Sequence, residues 1–501
     1  MTMSSNNAAG RGSAIDPTAG QIGMAAAVSI GIGGMIGAGI FSILGVVAHA
    51  AGNAMWVSFA LGGIVALLST YSYAKLGAAF PSAGGAVHFL VKGFGDGVLA
   101  GGLNLFMWVG YIISLALYAT AFGGYAATFA TTAPSPMLTK SLAVAAVVVL
   151  TLVNAFGPKL VGRWETSIVT IKVAILVLFA AVGLWFIRPA YLSPELWPPA
   201  ESILFGAGVL FIGYEGFGLI TNAAADMRNP RKLLPRALYT SVILVMAIYL
   251  AVSITVSGNL SDYEIERARD YALAEAAKPS LGQFGFRLIA IAAVFSTASA
   301  ITATLFGSAN VCYMIARDGE LPVGLSRTEW KDATGGLLLT AALVIAVMLV
   351  FDLSGITMMG SAAFLLIYAA VNAGHLNVLR ETEASAAIVW LSLLTCLAML
   401  VVLCVYTCSP PRSSSSPRSR SRRNGFTGAG PAVRSRRNFS SILPPTALVP
   451  APGTQENRRC EAMGLVVLCR AIFVGTRKAG TQIRNSEPAA LDSRIARRRR
   501  A

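Results

Sequence analysis

Eleven times along the chain, a run of about 20 apolar residues almost free of charge recurs, each long enough for a helix to cross ~30 Å of hydrocarbon. The runs cover residues 22–47, 53–74, 98–126, 139–156, 166–187, 201–222, 237–257, 284–312, 336–351, 354–379 and 386–407. No water-soluble domain can bury so many such runs around one core. The composition agrees: of 501 residues, 55% are hydrophobic and only 12% charged, far from the balance of a soluble protein. The reading is an all-α polytopic membrane protein. Residues 1–20 are polar with Arg11 as their one basic residue, and the first apolar run is too long for the core of a cleavable signal, so it is read as a retained helix behind a short cytoplasmic tail.

The net charge of +16 suggests a nucleic-acid footprint until it is located. Residues 409–501 hold 19 of the 39 Lys and Arg but 4 of the 23 Asp and Glu, leaving the hydrophobic body, residues 21–408, close to neutral. An N-terminus on the cytoplasmic side puts Lys75, Lys92, Arg163, Arg228, Arg231, Lys232, Arg236 and Arg380 inside, and exports a slightly acidic loop near residues 258–282. Eleven spans would also export the Arg- and Ser-rich tail, against the same rule. The expectation is that a frame change after about Cys408 replaces a twelfth span; a basic tail binding anionic lipid or nucleic acid is the competing reading. No nucleic-acid partner is expected of the body.

In lipid, helix-weakening sequence is tolerated only where the backbone is buried in protein or lines a cavity. Span one contains "GIGGMIGAGIF" (31–41) and span six "FGAGVLFIGYEGFGLITN" (205–222). Small-xxx-small spacing permits close helix packing as one reading of the first motif. Paired interruptions at corresponding positions of two five-helix halves favour another, a transporter site in which half-helix amides take an anion and unwound carbonyls take a cation. An amino acid carries both groups.

Together with "YSYAKLGAAFPSAGGAV" (71–87), "GYEGFGLITNAAADMRNPRKLLPRA" (213–237) and "SAITATLFGSANVCYMIARDGELP" (299–322), these residues resemble the amino acid-polyamine-organocation permeases, especially proton-coupled, sodium-independent amino acid transporters of broad specificity. The resemblance covers residues 20–407. It implies two inverted five-helix repeats with broken helices one and six, and two further helices, one of them lost here. It also implies that the substrate carboxylate meets the amides of Gly37, Ala38 and Gly39, that the amine meets carbonyls near Met35, Ile212 and Glu215, and that Tyr214 and Phe217 shape the pocket.

Ionisable residues inside a span are functional candidates. Lys172 lies nine residues beyond Arg163 in span five, roughly 13 Å along a helix and so near mid-depth. The resemblance places it where sodium sits in sodium-coupled transporters, near Gly33, with Ser296, Thr297 or Ser299 as hydroxyl partners, to couple transport to protons. Glu215 could neutralise a substrate amine, partner Lys172 or donate as a neutral acid. His49, His88 and His375 have no metal-spaced partner and the six cysteines form no CxxC pair, so neither a metal, a cofactor nor a disulfide framework is expected. No P-loop motif is present. The chain is therefore read as a non-enzymatic amino acid transporter of the cell membrane, with substrate, protons and lipid as partners. The alternatives are a membrane sensor without turnover, or an exchanger of amino acids or polyamines.

Overall fold

The computed structural model describes residues 22–82, 84–131, 134–155, 159–317, 328–330 and 333–408. The expected tails, 1–20 and 409–501, and the junction at which a frame change was inferred lie outside the described residues. Within them, every apolar run forms a helix. Spans one and two are Met24–Ala51 and Met55–Ala79, joined by a short 3-10 turn, Gly52–Ala54. Spans three to five are Val98–Ala130, Pro136–Ala155 and Lys159–Trp185. Span six is divided into Ala200–Val209, a 3-10 turn Leu210–Tyr214, and Leu219–Asn222. Spans seven and eight are Pro230–Asn259 and Lys278–Arg317, and spans nine to eleven are Gly335–Val350, Leu353–Asn377 and Ala386–Cys408.

Local chemistry sets these boundaries. Gly52 adopts φ +49 to end span one, a left-handed conformation that glycine takes without a Cβ penalty. Pro230 opens span seven, where a helix has no use for that amide. Asp352 caps span ten by accepting from the Gly355 amide at 3.0 Å.

The bundle is layered by burial. In the span one–two segment, 88% of the most apolar window is buried, against 22% for span eleven. Spans six and ten are buried likewise, at 78% and 83%, so they form the centre with span one while span eleven lies on the rim. Span one packs on spans five, six, seven and eight, span two on span seven, and span three on spans four, eight and ten. A helix between spans two and three, Gly85–Phe94, lies across one end of the bundle against spans ten and three. At the other end, the short helices Asp262–Arg267 and Ala272–Ala276 rest on span one. A small antiparallel hairpin, Thr328–Trp330 with Ala333–Thr334, pairs Thr328 with Thr334 and Trp330 with Ala333 before span nine.

One expectation is corrected. Span six is broken, but span one runs as a continuous helix through residues 31–41. Its glycines serve close approach instead. A Cβ on Gly34 would stand 3.0 Å from the Gly216 backbone, one on Gly37 2.8 Å from the Ala300 methyl, and one on Gly39 2.6 Å from the Gly213 carbonyl. A glycine costs a helix about 1 kcal/mol, a penalty that close packing of three neighbouring elements offsets.

Candidate functional site

The break in span six begins with the 3-10 turn and ends in two residues that cannot be helical. Glu215 is extended (φ −60, ψ 148) and Gly216 has φ +114. A Cβ at Gly216 would lie 2.6 Å from the Gly34 carbonyl carbon and 2.8 Å from the Met35 amide. Only glycine lets the broken backbone rest on span one.

A break at this depth frees backbone groups that lipid cannot satisfy; two side chains take them up, and a third, Tyr214, ties the break to span two. Ser361 of span ten donates from Oγ to the Val209 carbonyl and accepts from the Ile212 amide at 3.1 Å. Tyr249 of span seven places its hydroxyl 2.7 Å from the Met35 carbonyl and 3.0 Å from the Gly213 carbonyl, tying span one to the break. Tyr214, fully buried, donates to the Phe59 carbonyl at 2.9 Å. Neither Ser361 nor Tyr249 was identified from sequence. The one signal available was that a tyrosine buried in an apolar span needs a partner for its hydroxyl.

The Glu215 carboxylate points into an aromatic environment. It is 6% exposed and accepts a long hydrogen bond from Tyr118 Oη of span three at 3.4 Å. Beside the break, Phe217 stacks on Tyr368 of span ten with centroids 5.2 Å apart, and Tyr73 of span two meets Phe217 edge-on at 5.3 Å. Such rings exclude water and hold the wall of the site by offset and edge contacts.

On the other side of span one lies Lys172, 2% exposed. Its Nζ donates to the Gly33 carbonyl at 3.1 Å and lies beside Gly37, 3.7 Å from where a Cβ there would be. Ser296 of span eight donates to the next carbonyls, Ile36 at 3.2 Å and Gly37 at 2.9 Å. Of the three hydroxyls expected here, Ser296 reaches span one, Thr297 bonds carbonyls of its own helix, and Ser299 is half-buried.

Gly33 and Lys172 thus meet on one side of span one, whereas Met35 is tied through Tyr249 to the broken segment that holds Ile212, Tyr214 and Glu215. The amides of Gly37, Ala38 and Gly39 lie inside a helix, not at the free half-helix end that was expected, because span one keeps its ladder here. Among the described residues no cluster of three His, Cys, Asp or Glu could hold a metal ion.

Comparison with known proteins agrees with this architecture. The amino acid permease family matches residues 22–419. An uncharacterized protein of Methanocaldococcus jannaschii is 42% identical over 384 residues, 76% of this chain and 88% of that one. The inner membrane transport protein YbaT of Escherichia coli is 35% identical, over 76% of this chain and 89% of that one. The serine/threonine exchanger SteT of Bacillus subtilis is 28% identical, over 60% and 69% respectively. With eleven apolar spans among the described residues, the sixth of them broken, this chain is a multi-pass membrane protein of the amino acid permease family, within the amino acid-polyamine-organocation superfamily.

Proposed function

We propose that the protein is a secondary active amino acid transporter that couples uptake to protons and works by alternating access in the cell membrane, with its N-terminus cytoplasmic. The observation that carries this reading is Lys172, an ammonium buried among apolar helices whose Nζ donates to the Gly33 carbonyl of span one at 3.1 Å. A charged donor strengthens that bond. Loss of its proton weakens the tie between spans five and one and frees span one to rearrange, so that protonation state and helix position are linked.

The substrate sits where span one meets the break. Its amine faces Glu215 and the carbonyls of Met35 and Ile212; its carboxylate meets the Gly37, Ala38 and Gly39 amides when span one opens in the cycle. The amine then displaces the Tyr249 hydroxyl from the Met35 carbonyl. Relatives named as a serine/threonine exchanger and an Asc-type amino acid transporter support amino acids as the substrate class.

Uptake of labelled amino acids into proteoliposomes under an imposed proton gradient tests the reading, with and without sodium. Concentrative uptake that needs the proton gradient and ignores sodium is expected. In Lys172→Ala, gradient-driven accumulation is abolished while substrate counterflow persists. Full pH-dependent accumulation in that variant removes Lys172 from the mechanism, and binding without flux in the unaltered protein makes it a sensor instead.

A further inference from the structure

On the outer face of span seven, away from the substrate region, a shallow groove between the side-chain ridges of this single helix, open along its length, runs from Pro235 and Arg236 past Tyr239 and Thr240 to Ile243, Leu244 and Ala247. Its two ends differ in chemistry. Arg236 and Thr240 are exposed, as is Lys232 one turn earlier, and among the described residues no carboxylate pairs with Arg236 or Lys232. The other end is apolar, with Ile243 55% and Leu244 41% exposed and the small Ala247 leaving a hollow.

The dimensions fit one leaflet. From Arg236 to Ala247 is eleven residues, about 16 Å of helix, roughly half of the ~30 Å hydrocarbon core. The basic end therefore stands at the headgroup level when Ala247 is near the midplane. Tyr239, half-buried between the two, has the apolar ring and polar tip of an interfacial residue.

We propose that this groove is a seat for an anionic phospholipid, with phosphatidylglycerol as its form. The Arg236 guanidinium offers paired donors to the phosphate, and the Thr240 hydroxyl lies one turn away on the same face. Pro235 inside the helix has no amide to give, so the Arg231 carbonyl lacks its helical partner and accepts a glycerol hydroxyl. One acyl chain lies along Ile243, Leu244 and Ala247. Lys232 adds attraction of the kind that holds basic segments to anionic membranes.

Native mass spectrometry of the full chain, purified with phosphatidylglycerol or phosphatidylcholine, tests the seat. Wild type is expected to retain phosphatidylglycerol about tenfold more strongly than phosphatidylcholine, a difference that Arg236→Gln removes. Ala247→Trp, which keeps every charge but fills the hollow, is expected to lose the lipid as well. Equal retention of both lipids, or undiminished phosphatidylglycerol on either variant, overturns the proposal. Displacement by inorganic phosphate alone would show a plain anion site and also overturn it.

Discussion

Two residues carry the junction of spans one and six, and each makes a measurable prediction. Gly216 combines φ +114 with a Cβ position 2.6 Å from the Gly34 backbone. Gly216→Ala therefore adds about 1–3 kcal/mol of backbone strain to a clash with a main chain that cannot swing aside. A lowered unfolding temperature in detergent and loss of uptake are expected. A variant as stable and active as wild type would show that the two backbones do not need to touch. Tyr249→Phe keeps the ring and removes the hydroxyl that reaches Met35 and Gly213. The cost of leaving buried carbonyls short of a donor is about 1–3 kcal/mol in water, and nearer 1 kcal/mol inside a bilayer. Its uptake should fall through an altered affinity, because the substrate amine then meets carbonyls no longer held in place. Glu215 was legible in the sequence because a carboxylate is rare at membrane depth, and the glycine-rich motif because five glycines crowd into the eleven residues 31–41. Tyr249 and Ser361 were not, since a lone hydroxyl in an apolar span looks the same whether it bonds its own helix or mends a neighbour's.

At the scale of elements, hydropathy alone placed eleven helices, because in lipid a spanning segment has few alternatives to a helix. It could not tell a helix that breaks from one that packs, since both draw on glycine. In span six, Glu215 and Gly216 leave helical geometry and Ser361 repairs the exposed backbone. In span one, the same composition lets Tyr249, Lys172 and Ala300 approach closely while the ladder stays intact. The short helix Asp262–Arg267 lies outside the spans and makes its own prediction. Glu264 accepts from the Ser261 amide at 2.9 Å and its hydroxyl at 2.7 Å, bonds that hold its carboxyl below the usual carboxylate range. Because the folded value is depressed, its contribution is present above the unfolded glutamate value, near 4.3, and is lost as pH falls through the folded one. Protection factors of the amides of residues 262–267, each taken against the intrinsic exchange rate at that pH, should therefore fall on acidification. Glu264→Gln should remove that dependence at a local cost under about 1 kcal/mol, exposed as the pair is.

At the scale of the molecule, the proposed substrate region is buried among the described residues and has a short helical segment toward either end. Met35, Tyr214 and Phe217 are fully buried, the helix Gly85–Phe94 lies across one end, and the segment 262–276 covers span one at the other. Transport by alternating access requires that one of these covers leave while the other stays. The cover formed by segment 262–276 can be tested directly, because a Cβ on Gly124 of span three would stand 3.1 Å from the Cβ of Asp270. A shift of a few tenths of an ångström brings such a pair into the ~3.5–4.5 Å Cβ separation of a disulfide. The double variant Gly124→Cys with Asp270→Cys, in a background with the six native cysteines replaced, should fold and form the bond on oxidation. Oxidised protein in proteoliposomes is expected to lose uptake, and reductant to restore it, because the cross-link holds segment 262–276 on span three. Transport at equal rates in both redox states would mean that this segment stays in place throughout the cycle, and the path on its side of the bundle would then have to open elsewhere around spans one and six.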